Sequence, residues 1–138
     1  MMDDAERARV EELDRQYRLG EAPARRRVEQ AVLGSDYGAT SYNTLPQATE
    51  LAERLQLGPG GLLLDLGTGS GWPGLYLAVV SGCRVVLADQ PVEGLRVARQ
   101  RAMEDGVAER CGLVRASGVL LPFRSQVFDA ITHTDVLC

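Results

Sequence analysis

Aromatic residues are scarce in this chain: one tryptophan, four tyrosines and two phenylalanines make up 5% of its 138 residues. The core must therefore be built from Leu, Val and Ala. Histidine occurs once, as His133, and cysteine three times, as Cys83, Cys111 and Cys138. No two cysteines stand at the two-residue spacing of a zinc knuckle or a dithiol motif, so metal binding is not expected. An odd, scattered set of thiols points to reduced cysteines in a cytoplasmic protein, with Cys83 and Cys111 as small core residues. No apolar run approaches the ~20 residues that cross a bilayer. The opening Met1-Met2-Asp3-Asp4-Ala5-Glu6 reads as an acidic helix start rather than a signal peptide. No membrane association is expected. Excess positive charge is also missing, and a net charge of −4 argues against a general nucleic-acid surface. Arg25-Arg26-Arg27 is a short basic cluster that reads as a solvated helix face. Repeats and low-complexity segments are absent.

What is present is an alternation of elements. Asp3 to Leu19 read as a charged helix ending at Gly20, with Leu13 and Tyr17 a turn apart. A second short helix covers Arg25 to Leu33 after Pro23. A third, Leu45 to Leu57, starts at Thr44, where Gln47 completes a capping box. From Leu62 onward the pattern predicts strand 62–66, helix 73–81, strand 84–88, helix 91–104, strand 112–115 and strand 127–133. Such alternation implies an α/β fold, a doubly wound and mainly parallel sheet with right-handed crossovers. The length fits one domain, in which 1–57 form an N-terminal helical cap and 58–138 a cofactor-binding core.

The most informative segment is Leu62 to Gly74, which reads Leu-Leu-Leu-Asp-Leu-Gly-Thr-Gly-Ser-Gly-Trp-Pro-Gly. A strand apolar on both faces is what a sheet covered on both sides requires. Gly67, Gly69 and Gly71 then let the backbone turn and approach a ligand closely. The spacing Gly69-x-Gly71-x-x-Gly74 matches a dinucleotide site, where helix N-terminal amides hold a pyrophosphate. Against that stands Asp65, whose charge would oppose a pyrophosphate and suit a cationic ligand. Further along, Asp89 lies about 20 residues beyond the glycine loop, at a strand's C-terminal end, where an acid accepts hydrogen bonds from ribose hydroxyls. Its alternative role is to cap the following helix.

Leu64-Asp65-Leu66-Gly67-Thr68-Gly69-Ser70-Gly71 resembles the first motif of class I S-adenosylmethionine-dependent methyltransferases. Ala116 to Ile131, with Leu121-Pro122-Phe123 and Phe128-Asp129-Ala130-Ile131, is similar to the family's segment between its third and fourth strands. One departure is Ser117, a neutral residue where the family often has an acid for the adenine amine. The resemblance implies a Rossmann-like fold and S-adenosylmethionine as cofactor, with methyl transfer to a small-molecule acceptor. It implies cofactor contacts from Tyr42, Asp65, Gly67, Thr68, Gly69, Asp89, Gln90, Ser117, Gly118, Thr132 and His133. Tyr42 is a candidate lid over the methionyl end, or a surface tyrosine. His133 is a candidate base or pocket wall, with Asp135 a weaker alternative. No catalytic residue is assigned.

The family's sheet usually has seven strands, and this chain ends just past the fourth. The fourth strand is expected to be an exposed edge, which invites association, so a homodimer through that edge is expected. A non-catalytic module that binds the cofactor weakly, or acts through its edge, is the alternative to an enzyme. A nucleotide-dependent oxidoreductase fragment is a third reading.

Overall fold

The computed structural model describes residues 2–135. Four parallel strands, β1 (Leu62–Leu66), β2 (Arg84–Asp89), β3 (Cys111–Arg115) and β4 (Ala130–His133), form one sheet in the order β3-β2-β1-β4. The registers place Asp65 beside Leu87 on one side and beside Thr132 on the other. The chain therefore steps outward through β2 to β3, then crosses back to pair β4 with β1. That reversal makes the carboxyl ends of β1, β2 and β4 the natural ligand crevice.

Five helices surround the sheet: α1 (Asp4–Gly20), α2 (Pro23–Leu33), α3 (Leu45–Leu55), α4 (Gly74–Ser81) and α5 (Val92–Glu104). Leu63, Leu64, Leu75, Leu77 and Leu87 are fully buried between the layers, each stabilising by about 1.5–3 kcal/mol relative to exposure. Cys83 is also fully buried and Cys111 is half-buried, both as free thiols. Burial pushes the Cys111 thiol up to about 11. Cys138 lies outside the described residues. No described helix is long and apolar enough to cross a membrane.

Local chemistry sets the element ends. Asp3 caps α1 by accepting the Glu6 amide at 2.7 Å. Thr44 and Gln47 form the expected capping box on α3, a pair of bonds that satisfies two otherwise free amides. The helix α3 stops at Leu55, two residues before the sequence pattern suggests, because Gln56 turns left-handed at φ +50°. At β4 the departure is larger. Pairing starts at Ala130, while Asp129 closes the strand's foot: its amide donates to Leu62 O (2.9 Å) and its carboxylate accepts the Leu62 amide (2.8 Å). Phe128 lies outside the ladder and packs edge-on against Phe123, ring centres 5.0 Å apart.

Helix α1 packs along α5. The Asp14 carboxylate accepts the Glu93 amide at 2.8 Å, supplying from another helix the cap that Pro91 cannot give α5. Arg96 bridges Glu21 and Glu93 across the same seam. This clamp holds the N-terminal helix over the carboxyl edge of the sheet.

Candidate cofactor site

A cavity of about 510 Å³ opens at the carboxyl ends of β1 and β2, within the range of small-molecule sites. Its floor is the loop Gly67, Thr68, Gly69 and Ser70; one wall is Asp89, Gln90 and Pro91, and another is Ser117 and Gly118. Helix α1 adds Glu6, Arg9, Val10 and Tyr17, and the segment before α3 adds Ala39, Thr40 and Ser41.

The loop conformation follows from its hydrogen bonds. The Gly67 and Thr68 amides both donate to Ala88 O, at 2.8 and 3.2 Å, and Gly71 donates to Thr68 O at 2.9 Å. Gly69 donates to the Asp89 carboxylate at 2.7 Å. Gly69 has φ +56°, and a Cβ there would run into the Tyr17 hydroxyl. Only glycine meets both demands.

Asp65 lies beneath this loop and off the cavity wall, at 1% exposure. Its carboxylate accepts from Thr68 Oγ (2.7 Å), Thr132 Oγ (2.8 Å) and the Gly74 amide (3.2 Å). Burial pushes it up to about 6, against the lowering pull of those three donors. Gly74 is glycine because a Cβ would stand 2.5 Å from Asp65 Oδ2. The expectation of Asp65 as a direct ligand contact is therefore corrected: a buried position with its donors all internal makes it a strut for the loop. Thr132 is buried as its partner and is likewise off the wall.

His133 and Tyr42 also stand elsewhere than expected. His133 is exposed and outside the cavity lining, because alternation along β4 turns it away from the Thr132 side. Thr134 and Asp135, past the strand's end, line the cavity instead. Tyr42 is 85% exposed, while its amide donates to Asp135 at 3.1 Å. Gly67, Thr68, Gly69, Asp89, Gln90, Ser117 and Gly118 do converge on the one cavity.

Asp89 does not cap α5. It accepts the Gly69 and Gln90 amides, at 2.7 and 2.8 Å, and burial raises it above the usual carboxylate range. Each oxygen keeps a lone-pair direction for a ligand hydroxyl. Two wall hydroxyls have no partner: Ser70 Oγ and Ser41 Oγ are buried without a hydrogen bond among the described residues. Orphaned buried hydroxyls mark a place where a polar ligand belongs.

Helix α1 carries cavity residues that no sequence motif announced. The signal available was Val10, Leu13 and Tyr17 on one helical face. Tyr17 is buried, bonds Thr40 Oγ at 3.2 Å, and is pushed up to about 12 by that burial. Gln90 Nε2 donates to Glu6 at 3.1 Å, tying the helix to the ribose wall.

A pyrophosphate finds little here. The amides of Gly67, Thr68, Gly69 and Gly71 already have acceptors, and Asp65 occupies the first amide of α4. The helix terminus that would attract an anion is already neutralised by a buried carboxylate. A carboxylate wall, a glycine floor and free hydroxyls instead fit a nucleoside with an amino-acid tail, and define a Rossmann-like nucleoside-cofactor domain.

The family follows. A methyltransferase domain model matches residues 64–138, more than half of the chain, and the chain belongs to that family. It is 35% identical over 82 residues to methyltransferase GfsG of Streptomyces halstedii, covering 59% of this chain and 30% of that protein. It is 31% identical over 89 residues to erythromycin 3''-O-methyltransferase of Saccharopolyspora erythraea, covering 64% of this chain and 29% of the relative. A solved S-adenosylmethionine-dependent methyltransferase of Geobacter sulfurreducens, in complex with S-adenosylhomocysteine, superposes with a TM-score of 0.50 at 34% identity. That match covers 53% of this chain and 29% of the other. The chain spans about 30% of the length of these curated relatives. S-adenosylmethionine is the cofactor that the family and its solved neighbour assign to the cavity.

Proposed function

We propose that the chain carries the cofactor half of an S-adenosylmethionine-dependent methyltransferase acting on a small-molecule acceptor. One observation carries the reading: Asp89, the glycine loop and the unpartnered hydroxyls of Ser70 and Ser41 face one cavity whose loop amides are already satisfied. Asp89 would hold the ribose hydroxyls, with Gln90 beside it. Gly67, Thr68 and Gly69 would let the ligand lie against backbone. Ser70 and Ser41 would take the polar methionyl end, and Ser117 and Gly118 would border the adenine. Asp65 and Thr132 support the loop from below.

When bound, the cofactor supplies a methyl carbon made electrophilic by its sulfonium. The protein's share is alignment and exclusion of water. Tyr17 and Trp72 serve exclusion, since both are buried on the cavity wall. No side-chain nucleophile is required. In the same proposal residues 1–57 act as a helical cover on a core of 58–138 within a cytoplasmic protein. Copies associate through the outer edge of β4, where Ile131 is 56% exposed; sedimentation at two concentrations tests that part.

Calorimetric titration with S-adenosylmethionine and S-adenosylhomocysteine tests the central reading. Micromolar binding that is lost in Asp89→Asn, with the unfolding transition retained, is the expected result. No binding by the folded chain would overturn it and favour a module acting through its strand edge.

A further inference from the structure

A second cavity of about 500 Å³ lies on the other side of the segment 39–41. Ala39, Thr40 and Ser41 line both cavities, so this short segment is a shared partition. The second cavity is walled by Ala24, Val28, Val32 and Leu33 of α2, with Tyr42 at its side. Val28 and Val32 are 63% and 69% exposed, far more apolar surface than an isolated helix face normally leaves to water.

Two charged residues stand in this apolar setting, and their situations differ. The Glu29 carboxylate is committed to the partition, accepting the Gly38 amide at 2.8 Å and the Ala39 amide at 3.4 Å. Arg25 lines the same cavity and forms no ion pair or hydrogen bond among the described residues. A guanidinium facing an apolar cleft is matched by a carboxylate, which it can engage with two parallel bonds. The buried Ser41 hydroxyl on the partition also lacks a partner.

The partition is braced from four directions. Glu29 holds Gly38 and Ala39, Tyr17 bonds Thr40, Trp72 Nε1 donates to Asn43 O at 2.9 Å, and Asp135 takes the Tyr42 amide. A ligand in the second cavity would therefore abut a fixed wall bordering the first.

We propose that this second cavity is the acceptor site, and that its occupant is a small apolar molecule carrying one carboxylate, seated on Val28 and Val32 with its charge on Arg25. The inference rests on the methyltransferase reading for its role, and on α2 and residues 39–42 for its chemistry.

Decanoate and decanol serve as probes, each titrated calorimetrically into the whole chain with and without saturating S-adenosylhomocysteine. Decanoate is expected to bind one to one in both conditions. Arg25→Gln should weaken decanoate by roughly tenfold, the scale of one charge-assisted contact, and leave decanol unchanged. Val28→Asp should abolish binding of both probes, with S-adenosylhomocysteine affinity and the circular dichroism spectrum unchanged. Decanoate binding that is absent, that is displaced by S-adenosylhomocysteine, or that is indifferent to both substitutions overturns the acceptor site alone. Decanoate binding without any S-adenosylhomocysteine binding sinks the methyltransferase reading and the acceptor role with it.

Discussion

Tyr17 and Gly69 are in direct contact, the phenol of α1 resting where a side chain on the loop would have to stand. A helix distant in sequence thereby fixes the backbone on which the cofactor is to lie. The contact also explains why the N-terminal helix is clamped to α5 through Asp14 and Glu93.

Gly69→Ala should destabilise through two effects. The left-handed backbone costs a non-glycine residue about 1–2 kcal/mol, and the new methyl collides with Tyr17. Thermal unfolding of Gly69→Ala, Tyr17→Ala and the double variant separates them. The double variant should lose less than the sum of the singles, since removing the ring relieves the collision. Strict additivity would show that the contact carries no energy.

Asp65 makes stability depend on pH. Its folded value of about 6 lies above the model-peptide value of 3.8, so the folded state binds the extra proton between them. Stability is then greatest near pH 4, falls as pH rises towards 6, and is flat above that. A shift of this size corresponds to roughly 3 kcal/mol at most. Asp65→Asn should flatten the profile over that window while keeping the fold, because its amide can donate to Thr132. Asp65→Ala should lose several kcal/mol by stranding three donors. Urea unfolding from pH 4 to pH 7 reads all three proteins.

Asp135 joins the end of β4 to the partition, its Oδ2 accepting from the Tyr42 amide and from Asn43 Nδ2, both at 3.1 Å. Asp135→Ala should speed hydrogen exchange at Tyr42 and weaken S-adenosylhomocysteine binding, with global unfolding little changed. An unaltered exchange rate at Tyr42 would place the restraint elsewhere.

Tyr37 ties the same segment to α5. Its hydroxyl donates to Asp105 Oδ2 at 2.5 Å, and the Arg101 guanidinium lies 4.2 Å from its ring centre. Tyr37→Phe keeps the ring against Trp72, 5.1 Å away, and removes only the donor. The expected loss is about 1–2 kcal/mol, measured by chemical unfolding. A variant as stable as the parent would mean that water replaces the phenol on Asp105.

Much of the sheet was legible along the chain. Leu62–Leu66 and Arg84–Asp89 read as buried strands because a parallel strand covered on both faces needs apolar residues at every position. The glycine loop and Asp89 were legible because loop backbone and a strand's end leave few residue types able to do their work. Thr44 and Gln47 announced a helix start through a contact three residues long. These are local requirements, and local requirements leave marks in sequence.

Asp65 shows what local pattern could not decide. An acid in the first strand reads equally as a ligand for a cation or as a strut for the loop. Only the fold, bringing Thr132 across from β4 and Gly74 around from α4, makes it a strut. His133 and Thr134 were separated by strand register, which turns one out and brings the other to the cavity. Helix α1 reached the site through side-chain packing across more than fifty residues of chain, from Tyr17 to Gly69, a contact with no period and no motif. The sequence by itself determined the strands, the loop and the cofactor class, because those follow from backbone geometry and burial along neighbouring residues. Tertiary structure alone decided which carboxylate faces the ligand and which helix covers it, because those depend on distances between segments that the chain order does not encode.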